Sequence, residues 1–434
     1  MKKTKRTFTL LLSASLALSL MPAASAAPLT SYSNPWISSA SNDVVKPLKK
    51  AWTLQTDSSD AIAMGNLIVY SAKGKLRAVN AATGREQWNA AYTKASELAV
   101  GENALYFVDA KGQLVGLNAK TGKSLWKTKT GIDPKNGQAS LTLANGMLYA
   151  GGSHVLKAYS PSSGKQVWKQ ETQSDWAAWV SGVYDGVLVV SATVSGALTA
   201  EHYYGYDPKT GKPLWELGGS HGMVLDHRKG HVYMRDTWPM PDTTYAARLD
   251  KVNVKTGKIA ASYDYVTVLD GMYQQAEEVI VDGDSVYIAM EKYPKDSIDG
   301  YSSVLYRYAI DQDPAKQKPK TYEDRGIFLA GPYMDRFFVQ NGLELQAVRF
   351  DGKMTRTYDM PDNPVSRLDL IGTGAYVGLS DGKFYLVDIP SGKTLGSIDA
   401  GGRVYGQTLS AGGMIIVQSE GRMIAVKRPA TLKP

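Results

Sequence analysis

Four of the five histidines in this 434-residue sequence lie within one 30-residue window, and imidazoles brought together in this way are a common metal site. They are His202, His221, His227 and His231. His227 and His231 flank the turn Arg228-Lys229-Gly230, so a hairpin would let them face each other and, with His221, ligate a metal ion. However, no carboxylate is spaced to complete such a site, and histidines at turns usually lie at a solvated rim. We therefore predict no metal site.

Local motifs for other catalytic chemistry are missing from the sequence. It has no His-Glu-x-x-His helix or phosphate-binding glycine loop, and the absence of cysteine excludes a nucleophilic thiol. The acidic pairs in 282–284 and 311–313 are too short for a calcium loop and are typical of turn caps. These absences favour a protein that is not an enzyme, although active-site residues drawn from separate repeats would leave no local motif.

Aromatic and charged residues between Trp176 and Arg325 are better candidates for binding a ligand or a partner. Insertions around 238–241 and 293–295 predict long loops on one face of the molecule, where function is commonly located. Such a surface would suit a peptide, a glycan or a protein partner. The candidate binding residues are Trp176, Trp179, His202, Tyr203, His221, Trp238, Glu277 and Arg325, with Glu278 beside them.

The elements that position these residues come from a repeated motif. An alternating strand leads to Asn or Asp, two further residues and Thr-Gly-Lys, and a Trp follows four residues after the glycine. The spacing between successive motif glycines is 38, 42 and 47 residues, and weaker copies end at Gly257, Gly352 and Gly392. We expect the repeated residues to pack neighbouring units together. They are Trp52, Gly84, Trp88, Gly122, Trp126, Gly164, Trp168, Gly211 and Trp215.

Each repeat predicts about four short antiparallel strands, because a second pair of strands precedes every motif. Repeats of this length with four strands are typical of a β-propeller. We therefore predict an all-β fold with a single propeller of four-stranded blades, most consistent with eight blades and with nine as the alternative. The strand at 49–54 should complete the sheet of the last three strands, at 404–409, 414–418 and 422–426, and so close the ring.

The first residues of the sequence suggest export. Residues 1–26 have a basic start, a short apolar stretch and the small-residue site Ala24-Ser25-Ala26, which predicts a signal peptide cleaved near Ala26. Residues 27–48 read as a linker and 49–434 as the propeller. The formal charge of +8 falls to about +4 without the signal peptide, which does not favour nucleic acid. We expect a secreted monomer with no transmembrane segment.

With its repeated Asn/Asp-x-x-Thr-Gly-Lys turns and Trp, the sequence from about Trp52 to the C-terminus resembles the pyrroloquinoline-quinone-like (quinoprotein-type) β-propeller repeat family. This family includes quinoprotein dehydrogenases and non-enzymatic members such as the propeller lipoprotein of the outer-membrane barrel assembly machine. The resemblance implies that the repeated glycine and Trp lock blades together. In the dehydrogenases it implies pyrroloquinoline quinone (PQQ) beneath a disulfide, with calcium, in the central channel. This chain has no cysteine, so the non-enzymatic branch is favoured and neither PQQ nor calcium is expected.

Three functions are compatible with these observations. The leading hypothesis is a secreted, non-catalytic propeller that acts as a binding scaffold at the cell envelope, with a protein or a cell-wall glycan as partner. The first alternative is a quinoprotein-like oxidoreductase that uses PQQ in the central channel. The second is a carbohydrate-binding propeller, suggested by the tyrosines and tryptophans that fall outside the repeat.

Overall fold

The computed structural model describes residues 29–34, 45–135, 139–196, 198–237, 244–296, 302–352, 355–358 and 360–433. The predicted signal peptide and Trp238 lie outside the described residues. Within them the fold is built almost wholly from strands, with a short 3-10 helix at Pro314–Lys316. None of the helices in these segments is long and apolar enough to cross a membrane.

The strands of the first half of the chain are short. They are β1 (Ser31–Ser33), β2 (Lys50–Gln55), β3 (Ile62–Met64), β4 (Leu67–Ala72), β5 (Lys75–Asn80), β6 (Glu86–Ala90), β7 (Ala99–Val100), β8 (Ala104–Val108), β9 (Gln113–Asn118), β10 (Ser124–Lys129), β11 (Ser140–Ala144), β12 (Met147–Gly152), β13 (Val155–Tyr159), β14 (Gln166–Glu171), β15 (Trp179–Tyr184), β16 (Val187–Ser195), β17 (Thr199–Tyr206) and β18 (Pro213–Leu217).

Several strands of the second half are longer. They are β19 (His221–Arg228), β20 (His231–Asp236), β21 (Tyr245–Asn253), β22 (Ile259–Thr267), β23 (Met272–Asp282), β24 (Ser285–Pro294), β25 (Ser302–Ala309), β26 (Lys320–Glu323), β27 (Ile327–Tyr333), β28 (Arg336–Asn341), β29 (Glu344–Arg349), β30 (Thr355–Thr357), β31 (Val365–Ile371), β32 (Gly374–Leu379), β33 (Lys383–Asp388), β34 (Lys393–Asp399), β35 (Leu409–Ala411), β36 (Met414–Ser419) and β37 (Arg422–Lys427).

These strands form nine antiparallel sheets, so the described chain has nine blades. Strands β3 to β34 supply blades one to eight, four strands to a blade in chain order. The prediction of a propeller is confirmed. The number of blades is nine, the predicted alternative, and not the preferred eight. One complete sheet, β23 to β26, forms from the stretch between Gly257 and Gly352, where the sequence carries no motif glycine.

Blade nine closes the ring as predicted. Its order is β2-β37-β36-β35, so the N-terminal strand completes the sheet of the last three strands. Trp52 pairs with Ala425 in this ladder, and the Gln418 side chain binds both the N–H and the C=O of Ala61 at the entrance to blade one. Pairing between strands from the two ends of the chain thus closes the ring.

Within a blade, the first strand lies at the central channel and the fourth strand lies outside, as in other propellers. The first strands of neighbouring blades contact each other, for example β11 with β15 and β19 with β23. Because the strands alternate in direction, the turn between the second and third strands lies at the same end as the connection to the next blade.

The repeated motif forms a turn and an inter-blade contact. In the first copy, the Asn80 Oδ1 accepts hydrogen bonds from the backbone of Ala82 and Thr83, at 3.0 and 3.1 Å, and Gly84 follows with a φ of +68°. This is the left-handed region that favours glycine. The next Trp then reaches the following blade: the Nε1 of Trp88 donates to the carbonyl of Ala119 at 2.9 Å.

The same geometry recurs at five consecutive interfaces, from the one between blades nine and one to the one between blades four and five. Each indole donates to a carbonyl of the next blade and covers a motif glycine there. The pairs of tryptophan and glycine are Trp52 with Gly84, Trp88 with Gly122, Trp126 with Gly164, Trp168 with Gly211, and Trp215 with Gly257.

Both described parts of the expected linker pair with the ring. Strand β1 adjoins β31, the first strand of blade eight, and so lies in the channel as a fifth strand of that sheet. Leu48 donates its N–H to the Ser397 carbonyl of β34, the outer strand of the same blade, at 2.8 Å. The segment therefore reaches from the channel to the outside of blade eight.

Candidate binding site in the central channel

A cavity of about 440 Å³ lies between blades six and seven and is bounded by β1 on its channel side. We call it the channel cavity. Blade six contributes residues from all four of its strands, and blade seven contributes β27 and β28. Its lining residues are Leu29, Ser31 to Asn34, Glu277, Glu278, Ala289 to Glu291, Ser303 to Leu305, Tyr322, Arg325 to Leu329, Phe337 and Val339.

The walls of the channel cavity are apolar because two blades face each other here without a tryptophan between them. Leu305, Leu329, Phe337 and Val339 are buried, and Phe328 is half-buried beside them. The hydroxyl of Tyr322 is held by the Phe350 carbonyl at 2.7 Å. The cavity can therefore hold an apolar side chain out of water.

The mouth of the channel cavity is charged. Glu277 and Glu278 lie on β23, Glu291 lies on the neighbouring β24, and Arg325 lies in the connection between blades six and seven. Burial raises the pKa of the Glu277 carboxyl, and the negative charge of Glu291 raises it further. Burial also raises the pKa of Glu278. Both side chains stay exposed, so lost hydration adds only part of its full cost to their negative charge.

Arg235 of β20 partly offsets this cost from blade five. Its guanidinium opposes the rise in the pKa of both Glu277 and Glu278, and its Nη2 donates to the Ala276 carbonyl at 2.7 Å. Burial lowers the pKa of Arg235 itself. The mouth therefore carries three carboxylates against two arginines, Arg325 in the cavity lining and Arg235 from blade five.

Strand β1 is fixed to blade eight by polar contacts. The Ser31 hydroxyl donates to Asp369 Oδ1 at 2.7 Å, and Asp369 is 1% exposed. Asp369 also binds Arg367, at 2.6 Å, and the N–H of Thr408 in the approach to blade nine, at 2.8 Å. The wall that β1 provides is therefore tied to two blades.

Two of the eight candidate residues predicted from the sequence, Glu277 and Arg325, meet at the channel cavity together with Glu278. Trp176 and Trp179 lie at the start of blade four and are 53% and 44% exposed, but they do not line the cavity. Trp238 lies outside the described residues.

The remaining candidates lie in the body of blades four and five. His202 is within 3.4 Å of Glu216, and Tyr203 is buried in the core of blade four. His221 is buried, with its Nε2 at 3.0 Å from Asp250 Oδ2. These contacts hold strands together, and they do not bring the three residues into one site.

Sequence reasoning missed β1 and Glu291. Residues 27–48 are rich in Ser, Pro and Asn, a composition that indicates a linker, and a three-residue strand is too short to show alternation. Glu291 precedes a predicted loop, and only the register of β24 against β23 brings it to the mouth. Pairing between strands, which the local sequence does not reveal, places both of them at the cavity.

The histidines of the 30-residue window bind different partners. His227 Nε2 is 3.0 Å from Asp185 Oδ2, and His231 Nδ1 is 2.8 Å from the Lys229 carbonyl. Within the described segments, no group of three or more His, Asp or Glu side chains is placed to hold a metal ion.

The sequence matches a protein-family model described as outer membrane protein assembly factor BamB, over residues 72–154 and 151–293. Together these segments span 72–293, just over half of the chain. None of the curated proteins compared with the chain matches it.

Several solved structures are similar at low identity. BamB from Moraxella catarrhalis is 12% identical with a TM-score of 0.46, and the match covers 88% of this chain and 99% of that one. Quinohemoprotein alcohol dehydrogenase from Comamonas testosteroni is 13% identical with a TM-score of 0.46, covering 95% of this chain and 82% of that one. The computationally designed Ika8 protein is 12% identical with a TM-score of 0.46, covering 89% and 100%.

Similarity at this level says nothing about activity, whereas the family match rests on the repeats themselves. It begins at the end of β4 and runs into β24, through the blades that carry the Trp and glycine pairs. The chain therefore belongs to the pyrroloquinoline-quinone-like β-propeller repeat family, in the group described as outer membrane protein assembly factor BamB.

Proposed function

We propose that this protein is a non-catalytic scaffold of the cell envelope that binds a partner protein in the channel cavity. The observation that supports this most is the cavity itself, where buried apolar walls meet a charged mouth. About 440 Å³ is within the range of ligand pockets and large enough for one or two side chains of a partner.

Two observations support an envelope location. The first 26 residues have the composition of a secretory signal, and the family model carries the description of an outer membrane assembly factor. We prefer a protein partner to a cell-wall glycan because the cavity is lined by aliphatic and phenylalanine side chains. A glycan would instead suit the exposed Trp176 and Trp179.

The side chains present do not fit the calcium ion and the quinone that a quinoprotein dehydrogenase holds. Calcium takes six to eight oxygen ligands, whereas the described residues contain no group of three or more acidic or histidine side chains that could hold a metal. The sequence has no cysteine for the disulfide that the resemblance implies, and no described tryptophan lines the channel cavity. We therefore propose no cofactor.

Site-specific photo-cross-linking tests the proposal. Benzoylphenylalanine replaces Phe328, which lines the cavity, and in a control protein it replaces Leu125, which is exposed on the outer strand of blade two. We expect envelope proteins to cross-link at position 328 and not at 125. Identical adducts at both positions, or none at 328, would contradict the proposal.

The alternatives are tested in parallel. Purified protein is reconstituted with PQQ and calcium and assayed for dye-linked oxidation of alcohols and sugars. Turnover that depends on both additions would replace the scaffold with an oxidoreductase. Adducts of position 328 with glycan fragments instead of protein would favour the carbohydrate-binding alternative.

A further inference from the structure

Strand β1 is hydrogen-bonded along one edge, to β31 of blade eight. The carbonyl of Thr30 accepts from the N–H of Leu370 at 2.9 Å, and the N–H of Asn34 donates to the carbonyl of Ser366 at 2.7 Å. Residues of an antiparallel strand alternate between bonding one neighbour and facing the other side. The backbone groups of Ser31 and Ser33 therefore point away from blade eight.

The other edge of β1 is open along the channel cavity. Leu29 is in phase with Ser31 and Ser33, and its carbonyl accepts from the N–H of Gly331 in blade seven at 2.5 Å. Beyond that bond, no described residue pairs with the backbone of Ser31 or Ser33, and both residues line the cavity. Within the described part of the chain, their N–H and C=O groups therefore face the cavity without a strand partner.

An open strand edge is a template for another extended chain, because main-chain hydrogen bonds give affinity without a particular sequence. Here the edge lies opposite apolar walls that would take a side chain on one face of such a strand. We propose that the partner inserts an extended segment into the channel cavity and adds to β1 as a β-strand. This inference rests on the proposed function and specifies how the partner binds.

The charges at the mouth indicate the chemistry of that segment. Three carboxylates, those of Glu277, Glu278 and Glu291, line the cavity with Arg325 as the cation. Opposite charges across an interface favour encounter and fix register. The segment therefore carries an apolar residue for the walls and a lysine or arginine for the glutamates.

Peptide binding tests the strand addition. The probe is a fluorescein-labelled peptide of alternating threonine and valine with a central lysine, titrated against the mature protein by fluorescence anisotropy. Ser33→Pro removes the outward-facing N–H but takes no donor from the ladder with β31, so we expect at least a tenfold weaker affinity. Ser33→Ala is the matched control and should bind like the native protein.

A second pair of variants tests the charge preference. Glu277→Gln combined with Glu278→Gln should weaken the lysine peptide about fivefold, because two of the carboxylates lose their charge. The same peptide with norleucine in place of lysine should bind the native protein and this double variant equally. An equal effect on both peptides would overturn the charge preference.

The remaining outcomes separate this inference from the proposed function. Equal affinity of Ser33→Pro and Ser33→Ala, or no binding of either peptide, overturns the strand addition, while cross-linking at Phe328 decides the scaffold independently. Tighter binding after removal of residues 29–34 also overturns it, because β1 would then cover the site. A dimer that forms with increasing concentration and excludes the peptide would identify a second copy as the occupant.

Discussion

The five blade interfaces that hold a tryptophan run from the one between blades nine and one to the one between blades four and five. They differ from the remaining interfaces, which lie between blades five and nine. On the first side, an indole fills each interface and donates to the next blade. On the second side other residues take that place: Tyr322 binds the Phe350 carbonyl between blades six and seven, and Arg356 binds the Ser391 carbonyl between blades seven and eight. We call these the tryptophan side and the substituted side.

The two longest described strands both belong to blade six: β23 has eleven residues and β24 has ten. The channel cavity lies on the substituted side, between blades six and seven. A repeat that must close every interface with the same large side chain has little freedom to leave a pocket, so the binding site occurs where the repeat is relaxed.

Replacing a tryptophan tests this comparison with the largest expected effect. Trp88 is buried, and Trp88→Ala leaves a cavity and an unpaired Ala119 carbonyl. We expect a loss of about 3–5 kcal/mol in the free energy of unfolding. Arg356→Ala removes one hydrogen bond at a substituted interface and should cost about 1 kcal/mol.

Urea unfolding followed by tryptophan fluorescence and by circular dichroism measures both losses. Coincident transitions from the two probes would show that the ring unfolds as a unit. Similar losses for the two variants would mean that the tryptophans are not the main contacts of their interfaces. The comparison between the two sides would then fail.

Most of the tryptophan side could be predicted from the sequence, and most of the binding site could not. Thr-Gly-Lys and Trp recur at fixed spacing because each has the same task in successive units, a turn such as that at Gly84 or a contact with the next blade such as that from Trp88. By contrast, β1 reaches the channel cavity by pairing with β31, far along the chain, and Glu291 reaches it through the register of β24 against β23. Glu277 and Arg325 were found only because they lie in the stretch where the repeat weakens.

The glycines under the tryptophans give a smaller effect. Gly122 and Gly352 both have positive φ, at +66° and +73°, so alanine is strained at either position. An added Cβ on Gly122 would also lie 2.6 Å from the Trp88 ring, whereas Gly352 has nothing within 4 Å. Gly122→Ala should therefore lose about 1–3 kcal/mol more than Gly352→Ala.

Thermal unfolding of the two alanine variants isolates this difference, because the backbone strain is common to both. Gly122→Ala combined with Trp88→Ala should lose less than the sum of the two single changes, since the ring that the methyl group meets is gone. Additive losses would show that the methyl group does not press on the indole.

The smallest effect concerns the charged mouth on the substituted side. The pKa of Glu278 is raised by burial and by Glu277, while Arg235 opposes the rise. A raised pKa means that the folded protein holds the proton more tightly than the unfolded chain does, so stability falls as pH rises from the ordinary carboxyl pKa through the raised one. Glu278→Gln removes this cost at neutral pH.

We therefore expect Glu278→Gln to be more stable than the native protein at pH 7, by at most about 0.5 kcal/mol because the side chain still contacts solvent. The gain should disappear below about pH 4, where glutamate is protonated in both states. Urea midpoints across this range measure it, with Glu102→Gln in an exposed turn of blade two as the control for loss of one charge. A stability loss at pH 7 would mean that the attraction between Glu278 and Arg235 outweighs the cost of burial, and the mouth would then be a closed ion pair instead of a site that a basic partner completes.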